Sequence, residues 1–155
     1  MSESVRLHTT VAERRSEVYA ALVDYRALTS LVDGLVSLEP GRSRGSGDPA
    51  GAPAEGDEFA AVMRIGGSDV RSRLVLTRLQ PEERVVWTSR DDDDRELSFT
   101  LADGNTPDQT RILLVVTYEL PPGIKGVLVR PIVEQAVKGH ARGTLLKLKE
   151  RFGAA

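Results

Sequence analysis

Few side chains in this sequence are equipped for chemistry. No cysteine is present, which excludes disulfides, thiolate metal sites and cysteine nucleophiles. His140 lies four residues after Ala136 and four before Thr144, on or beside the apolar stripe of a helical segment. An imidazole titrates near neutral pH, so there it could serve as a general base or donate to a ligand carbonyl. The plain alternative is a partly solvated histidine at the stripe's edge. His8 falls out of phase with the buried positions of its strand and reads as surface. Tyr118 shares the inward parity of Leu114 and Val116, so its phenol could reach a ligand oxygen, or simply reach water at the sheet edge. Ser72 shares inward parity with Leu74, yet no histidine base lies near it in sequence, which argues against a serine nucleophile. His140, Tyr118 and Ser72 are thus the catalytic candidates, and no motif singles out any of them. Arg64, Arg71 and Arg73 alternate with apolar positions and read as a solvated face, although one of them could clamp a carboxylate. The run Asp91 to Asp94 lacks the spaced ligands and glycine of a calcium loop and reads as a solvated hairpin tip. GxGxxG, P-loop and HExxH patterns are absent, so neither a cofactor nor a metal is expected.

The elements that must position these residues are legible from periodicity. Val5, Leu7, Thr9 and Val11 alternate with polar neighbours as in a half-buried strand. Ser16, followed by Glu17, predicts an N-cap for a helix carrying Val18, Ala21, Leu22 and Tyr25 on one face, and a second short helical run spans about Ala27 to Asp33. Gly41 to Gly56 is rich in Gly, Pro and Ser without periodicity, predicting a loop that could act as a lid. Strand-like runs follow at Glu58 to Ile65, Val70 to Leu79, Arg84 to Arg90, Arg95 to Leu101 and Thr110 to Leu120. Gly66-Gly67 signals a two-residue hairpin and Pro81-Glu82-Glu83 a type I turn, and connections this tight require antiparallel pairing. After Pro121-Pro122-Gly123 the pattern becomes helical. Ile124, Val127, Leu128, Ile132, Val133, Ala136, Val137, Ala141, Leu145, Leu148 and Phe152 form a broad stripe, with a kink or restart expected near Arg130 because of Pro131. The order predicts an α+β protein with a sheet on one layer and a long helix on the other.

Composition bounds the remainder. A chain of 155 residues, 40% hydrophobic and 28% charged, is long enough for one real core and predicts a single domain over residues 1–155. A formal net charge of -2 offers no electrostatic footprint for nucleic acid or a membrane surface. Met1 to Arg6 opens no basic segment leading into an apolar run, and no stretch approaches a membrane span, so a cytoplasmic protein without integral membrane association is expected.

Several segments together carry a resemblance: Ser16 to Tyr25 after the opening strand, Glu83-Arg84-Val85-Val86-Trp87, Gln109-Thr110-Arg111-Ile112, and the terminal Leu145-Leu146-Lys147-Leu148-Lys149. With these the chain resembles, over nearly its whole length, the polyketide cyclase/START-like (SRPBCC) superfamily. The resemblance implies a Bet v 1-type helix-grip fold, a curved antiparallel sheet of about six to seven strands around a long C-terminal helix. It also implies a gap between the two that accommodates lipids, sterols, quinones or polyketides. The family often places Pro near Arg14 and Pro or Trp after Tyr25, where this chain has Arg and Leu28-Thr29-Ser30, so the entrance is expected to differ in shape. The expected ligand-binding wall comprises Tyr25, Phe59, Met63, Leu74, Leu76, Trp87, Phe99, Leu114, Val116 and Tyr118, with Ile132, Val133, Ala136 and His140 from the helix. Binding of a hydrophobic small molecule by a monomer or homodimer is the leading expectation. An aromatase/cyclase-type enzyme and a protein-interaction or chaperone-regulating module are the alternatives.

Overall fold

The computed structural model describes residues 2–41, 53–65, 67–90, 95–119 and 130–155. Strand β1 (Ser2–Val11) is followed by helices α1 (Arg15–Val23) and α2 (Tyr25–Leu28). Six strands come next: β2 (Leu35–Pro40), β3 (Glu58–Ile65), β4 (Ser68–Gln80), β5 (Arg84–Ser89), β6 (Arg95–Asp103) and β7 (Thr110–Glu119). Helix α3 (Arg130–Phe152) closes the chain. All described strand pairs are antiparallel, in one seven-stranded sheet of order β1-β7-β6-β5-β4-β3-β2. The two short helices carry the chain from one sheet edge to the other, and the meander from β2 to β7 brings it back beside β1.

Register shifts between Leu35 and Ser37 and between Leu76 and Arg78 mark bulges, and a bulge bends its strand and increases twist. On the concave face Val11, Val85, Phe99, Ile112 and Leu114 are buried, and α3 covers them with Val137, Ala141, Leu145 and Leu148. α1 contributes Val18, Ala21 and Leu22 to the same core. The indole N–H of Trp87 donates to the Leu22 carbonyl at 3.0 Å, satisfying one of the last-turn carbonyls that a helix cannot pair internally and tying α1 to β5. At its C-terminus α3 ends on Gly153 with φ 87, whose N–H donates to the Lys149 carbonyl at 2.8 Å. The Ala12 N–H in turn donates to the Gly153 carbonyl at 2.9 Å, so this end of the helix is moored to β1.

Several sequence expectations are corrected. β2 was not among the expected strands: its bulge separates the buried Leu35 and Leu38 by three positions and erases period-two alternation. Ser16 is not the N-cap of α1, because the helix begins at Arg15 with Arg14 as an N-cap that makes no side-chain bond. The second helical run is the four-residue α2, with Asp24 capping the Arg26 N–H. The turn at Pro81 is type II rather than type I, since Glu82 has φ 61 while the Glu83 N–H donates to the Gln80 carbonyl at 2.9 Å. The kink or restart expected near Arg130 falls at the edge of the described residues; within α3 Pro131 is the second residue, where its missing N–H costs nothing. The inward stripe of α3 also differs: Ile132 is 69% exposed and Ala136 is exposed, whereas Val137, Ala141, Thr144, Leu145 and Leu148 are buried. Most of the Gly41 to Gly56 loop, Gly66, the Asp91 to Asp94 run and the stretch from Leu120 through Val127 and Leu128 lie outside the described residues. Among the described residues, no helix is long and apolar enough to cross a membrane.

Candidate functional site: a cavity between sheet and helix

Strand register sorts the concave face into rows, and the rows explain what is pocket and what is core. One row runs Leu79, Val85, Phe99, Leu114 and Leu7 across β4, β5, β6, β7 and β1. The next runs Leu76, Trp87, Leu97, Val116 and Val5. Further toward the β3–β4 hairpin, Leu74 opposes Ser89, Ser72 opposes Ala61, and Val70 opposes Met63. Below the Trp87 row the side chains close against the C-terminal half of α3. Above it they do not, and a cavity of about 250 Å³ remains.

Its apolar walls are Leu28, Val32 and Leu35 from the α2–β2 segment, Met63, Val70, Leu74, Trp87, Leu97 and Val116 from the sheet, and Val137 and Ala141 from α3. Since the Trp87 N–H is taken by Leu22, the indole presents only apolar surface to the cavity. The polar groups on the wall are Asp33, His140 and Thr144 on the helix side, Ser72, Ser89 and Arg95 on the sheet side, and Arg71 and Glu96.

The helix-side cluster is tightly built. His140 Nδ1 lies 3.1 Å from Asp33 Oδ2, and Lys147 Nζ lies 3.6 Å from Asp33 Oδ1. The Asp33 N–H donates to Thr144 Oγ1 at 3.0 Å, and the Thr144 hydroxyl donates to the His140 carbonyl at 2.9 Å. Two glycines make room for this. A Cβ on Gly143 would stand 2.6 Å from Asp33 Cγ, and one on Gly34, which has φ 87, would stand 2.6 Å from His140 Cε1. A glycine inside a helix costs roughly 0.5–1 kcal/mol relative to alanine, so Gly143 gives up helix stability for the close approach of Asp33. Asp33 is an acceptor, so the Nδ1–H tautomer of a neutral His140 satisfies the contact and leaves Nε2 as an acceptor. That arrangement can orient a hydrogen-bonding group or take up a proton.

Of the residues expected on the wall, Met63, Leu74, Trp87, Val116 and His140 line the cavity, as does the catalytic candidate Ser72. Phe59, Leu76, Phe99, Leu114 and Tyr118 are buried in the core instead. Phe59 sits between Tyr25 and Trp87, with ring centroids 5.3 and 5.4 Å away, so Tyr25 and Phe59 form an aromatic layer behind the wall. Val133 packs against the core without lining the cavity, and Ile132 and Ala136 face away from it. Arg64 pairs with Asp69 across the β3–β4 hairpin at 2.9 Å, and its guanidinium holds the Asp69 carboxyl below the usual carboxylate range. His8 is exposed, as expected. Asp33, Ser89, Arg95 and Thr144 were missed. Asp33 occupies an aperiodic turn, while the inward parity of Arg95 with Leu97, Phe99 and Leu101 was available to find it. Among the described residues, no group of three or more His, Asp or Glu side chains could hold a metal ion.

No family model matches the chain, and no curated protein matches it. Solved structures do. The protein TTHA0849 from Thermus thermophilus superposes with a TM-score of 0.77 at 22% identity, covering 97% of both chains. A START superfamily protein from Mycobacterium smegmatis gives 0.76 at 13% identity over 96% of both chains. The Zhui aromatase/cyclase from a Streptomyces species gives 0.75 at 12% identity, over 97% of this chain and 93% of that one. At such identities the likeness is one of fold. The chain has the helix-grip fold found in START-like and aromatase/cyclase structures.

Proposed function

We propose that the protein binds a hydrophobic small molecule, of lipid, quinone or polyketide type, in the cavity between the sheet and α3, as a carrier or sequestering protein. The observation that carries this is the unfilled space above the Trp87 row, walled mainly by aliphatic side chains and one indole. Dispersion and the hydrophobic effect supply the affinity, and the few polar groups orient the ligand. A volume of about 250 Å³ falls just under the roughly 300–1,000 Å³ of ordinary ligand pockets, which favours a ligand of one or two rings, or the end of a longer chain. Native mass spectrometry of the purified protein is expected to show a co-purifying or added apolar ligand bound at one equivalent. Failure of every apolar probe to bind would sink the reading.

The Asp33–His140 pair favours a second reading, an aromatase/cyclase-type enzyme, the activity that the Zhui structure's name carries. Such chemistry needs chiefly a shaped cavity and a correctly placed proton acceptor. In this reading His140 Nε2 accepts the proton and Asp33 stabilises the imidazolium that forms. Turnover of a poly-β-keto substrate that survives His140→Ala would remove its main support.

A further inference from the structure

We infer that the ligand of this cavity is a monoanion, an aromatic or alicyclic carboxylate whose charged end pairs with Arg95. The inference rests on the binding reading above and adds the chemical class of what is bound. Arg95 opens β6 at the parity of Leu97, Phe99 and Leu101, so its side chain starts on the concave face, and it lines the cavity while only partly exposed. Thr88 and Glu96 are the last paired residues of β5 and β6, which makes Ser89 the β5 residue beside Arg95. Ser89 is only 6% exposed and also lines the cavity.

The charge on the opposite, helix-side wall is matched. Asp33 faces His140 and Lys147, whereas Arg95 forms no ion pair among the described residues. A guanidinium without an ion pair among the described residues, beside the Ser89 hydroxyl and the apolar Trp87 and Leu97, gains a partner when an anion arrives with the ligand. A planar carboxylate suits the guanidinium fork, and the Ser89 hydroxyl can donate to it as well. A single inward cation without an ion pair among the described residues neutralises one charge, and the carboxylates of Glu96 beside it and of Asp33 on the opposite wall disfavour a dianion such as a phosphate monoester. Arg111 is exposed, lies out of phase with Ile112 and Leu114 on β7 and does not line the cavity, which makes it the control.

The test is isothermal titration of two probes that differ only in charge, 2-naphthoate and 2-naphthamide, against the wild type, Arg95→Gln and Arg111→Gln. The wild type and Arg111→Gln are expected to bind naphthoate about tenfold or more tighter than naphthamide, the scale of a charge-assisted hydrogen-bonded pair. Arg95→Gln is expected to lose that preference while binding naphthamide as the wild type does, which also reports that its cavity is intact. Equal binding of the two probes by the wild type overturns the monoanion inference and leaves the hydrophobic-binding reading standing. So does a preference that survives Arg95→Gln, or loss of both probes in that variant alone. Failure of both probes to bind the wild type counts against both readings.

Discussion

His140 and Asp33 show how much a residue's role depends on what its neighbours leave out. The histidine could be singled out from helical spacing, but its partner could not, because Asp33 sits in a turn with no period to place it and reaches His140 only through the close approach of α3 to the start of β2. Two glycines permit that approach, and a third supplies the comparison. Gly139 has open space where its Cβ would be, whereas a Cβ on Gly143 would stand 2.6 Å from Asp33 Cγ. Gly139→Ala is therefore expected to stabilise the protein by roughly 0.5–1 kcal/mol through helix propensity and unfolded-state entropy. Gly143→Ala gains the same propensity but must displace Asp33 from His140 and Thr144, and a net loss of about 1–3 kcal/mol is expected. Urea unfolding of the two variants decides the matter, and an equal gain in both would mean that the Asp33 contact is not held tightly. Arg95 shares the parity of Leu97 and Phe99 but stands at the start of its strand, directly after four aspartates, where no earlier residue extends the alternation.

At the scale of elements, strand register did most to decide which side chains meet the cavity. Alternation was enough to assign Leu74 and Val116 to the inner face, because each lies on a regular stretch of strand, whereas Val85, Val86 and Trp87 are apolar in succession and only the register sorts them. It could not say which row each occupies, and the row separates the cavity-lining Trp87 and Val116 from the core-filling Phe99 and Leu114. It failed outright at β2, where the bulge breaks the period, and on α3, where apolar Ile132 and Ala136 were placed on the inner face although Val137 and Ala141 hold it. Helical spacing finds a stripe, and a broad stripe leaves its centre undefined. The α1–β5 contact makes a further prediction. Trp87→Phe keeps an aromatic ring but deprives the Leu22 carbonyl of its donor and leaves a void, at an expected cost of about 1–3 kcal/mol. Thermal unfolding checks it, and an unchanged midpoint would mean that water replaces the indole without penalty.

At the scale of the whole molecule, the sheet and α3 close over one half of the concave face and leave a cavity at the other. The fold was legible in the sequence because it is written in repeated, redundant patterns, strand after strand. The site was legible only in part, because it is defined by where packing stops, and no single residue encodes that. Trp87 is the only tryptophan in the chain and lines the cavity, so its fluorescence reports occupancy directly. Ala141, buried on the opposite wall, is the position from which a larger side chain would fill the space. The decisive measurement is a titration of Trp87 fluorescence with the neutral apolar probe 1-N-phenylnaphthylamine, in the wild type and in Ala141→Phe. Saturable quenching at one equivalent is expected in the wild type, with at least a tenfold weaker response in a folded Ala141→Phe variant. Absence of saturable quenching, or equal quenching in both proteins, would contradict it.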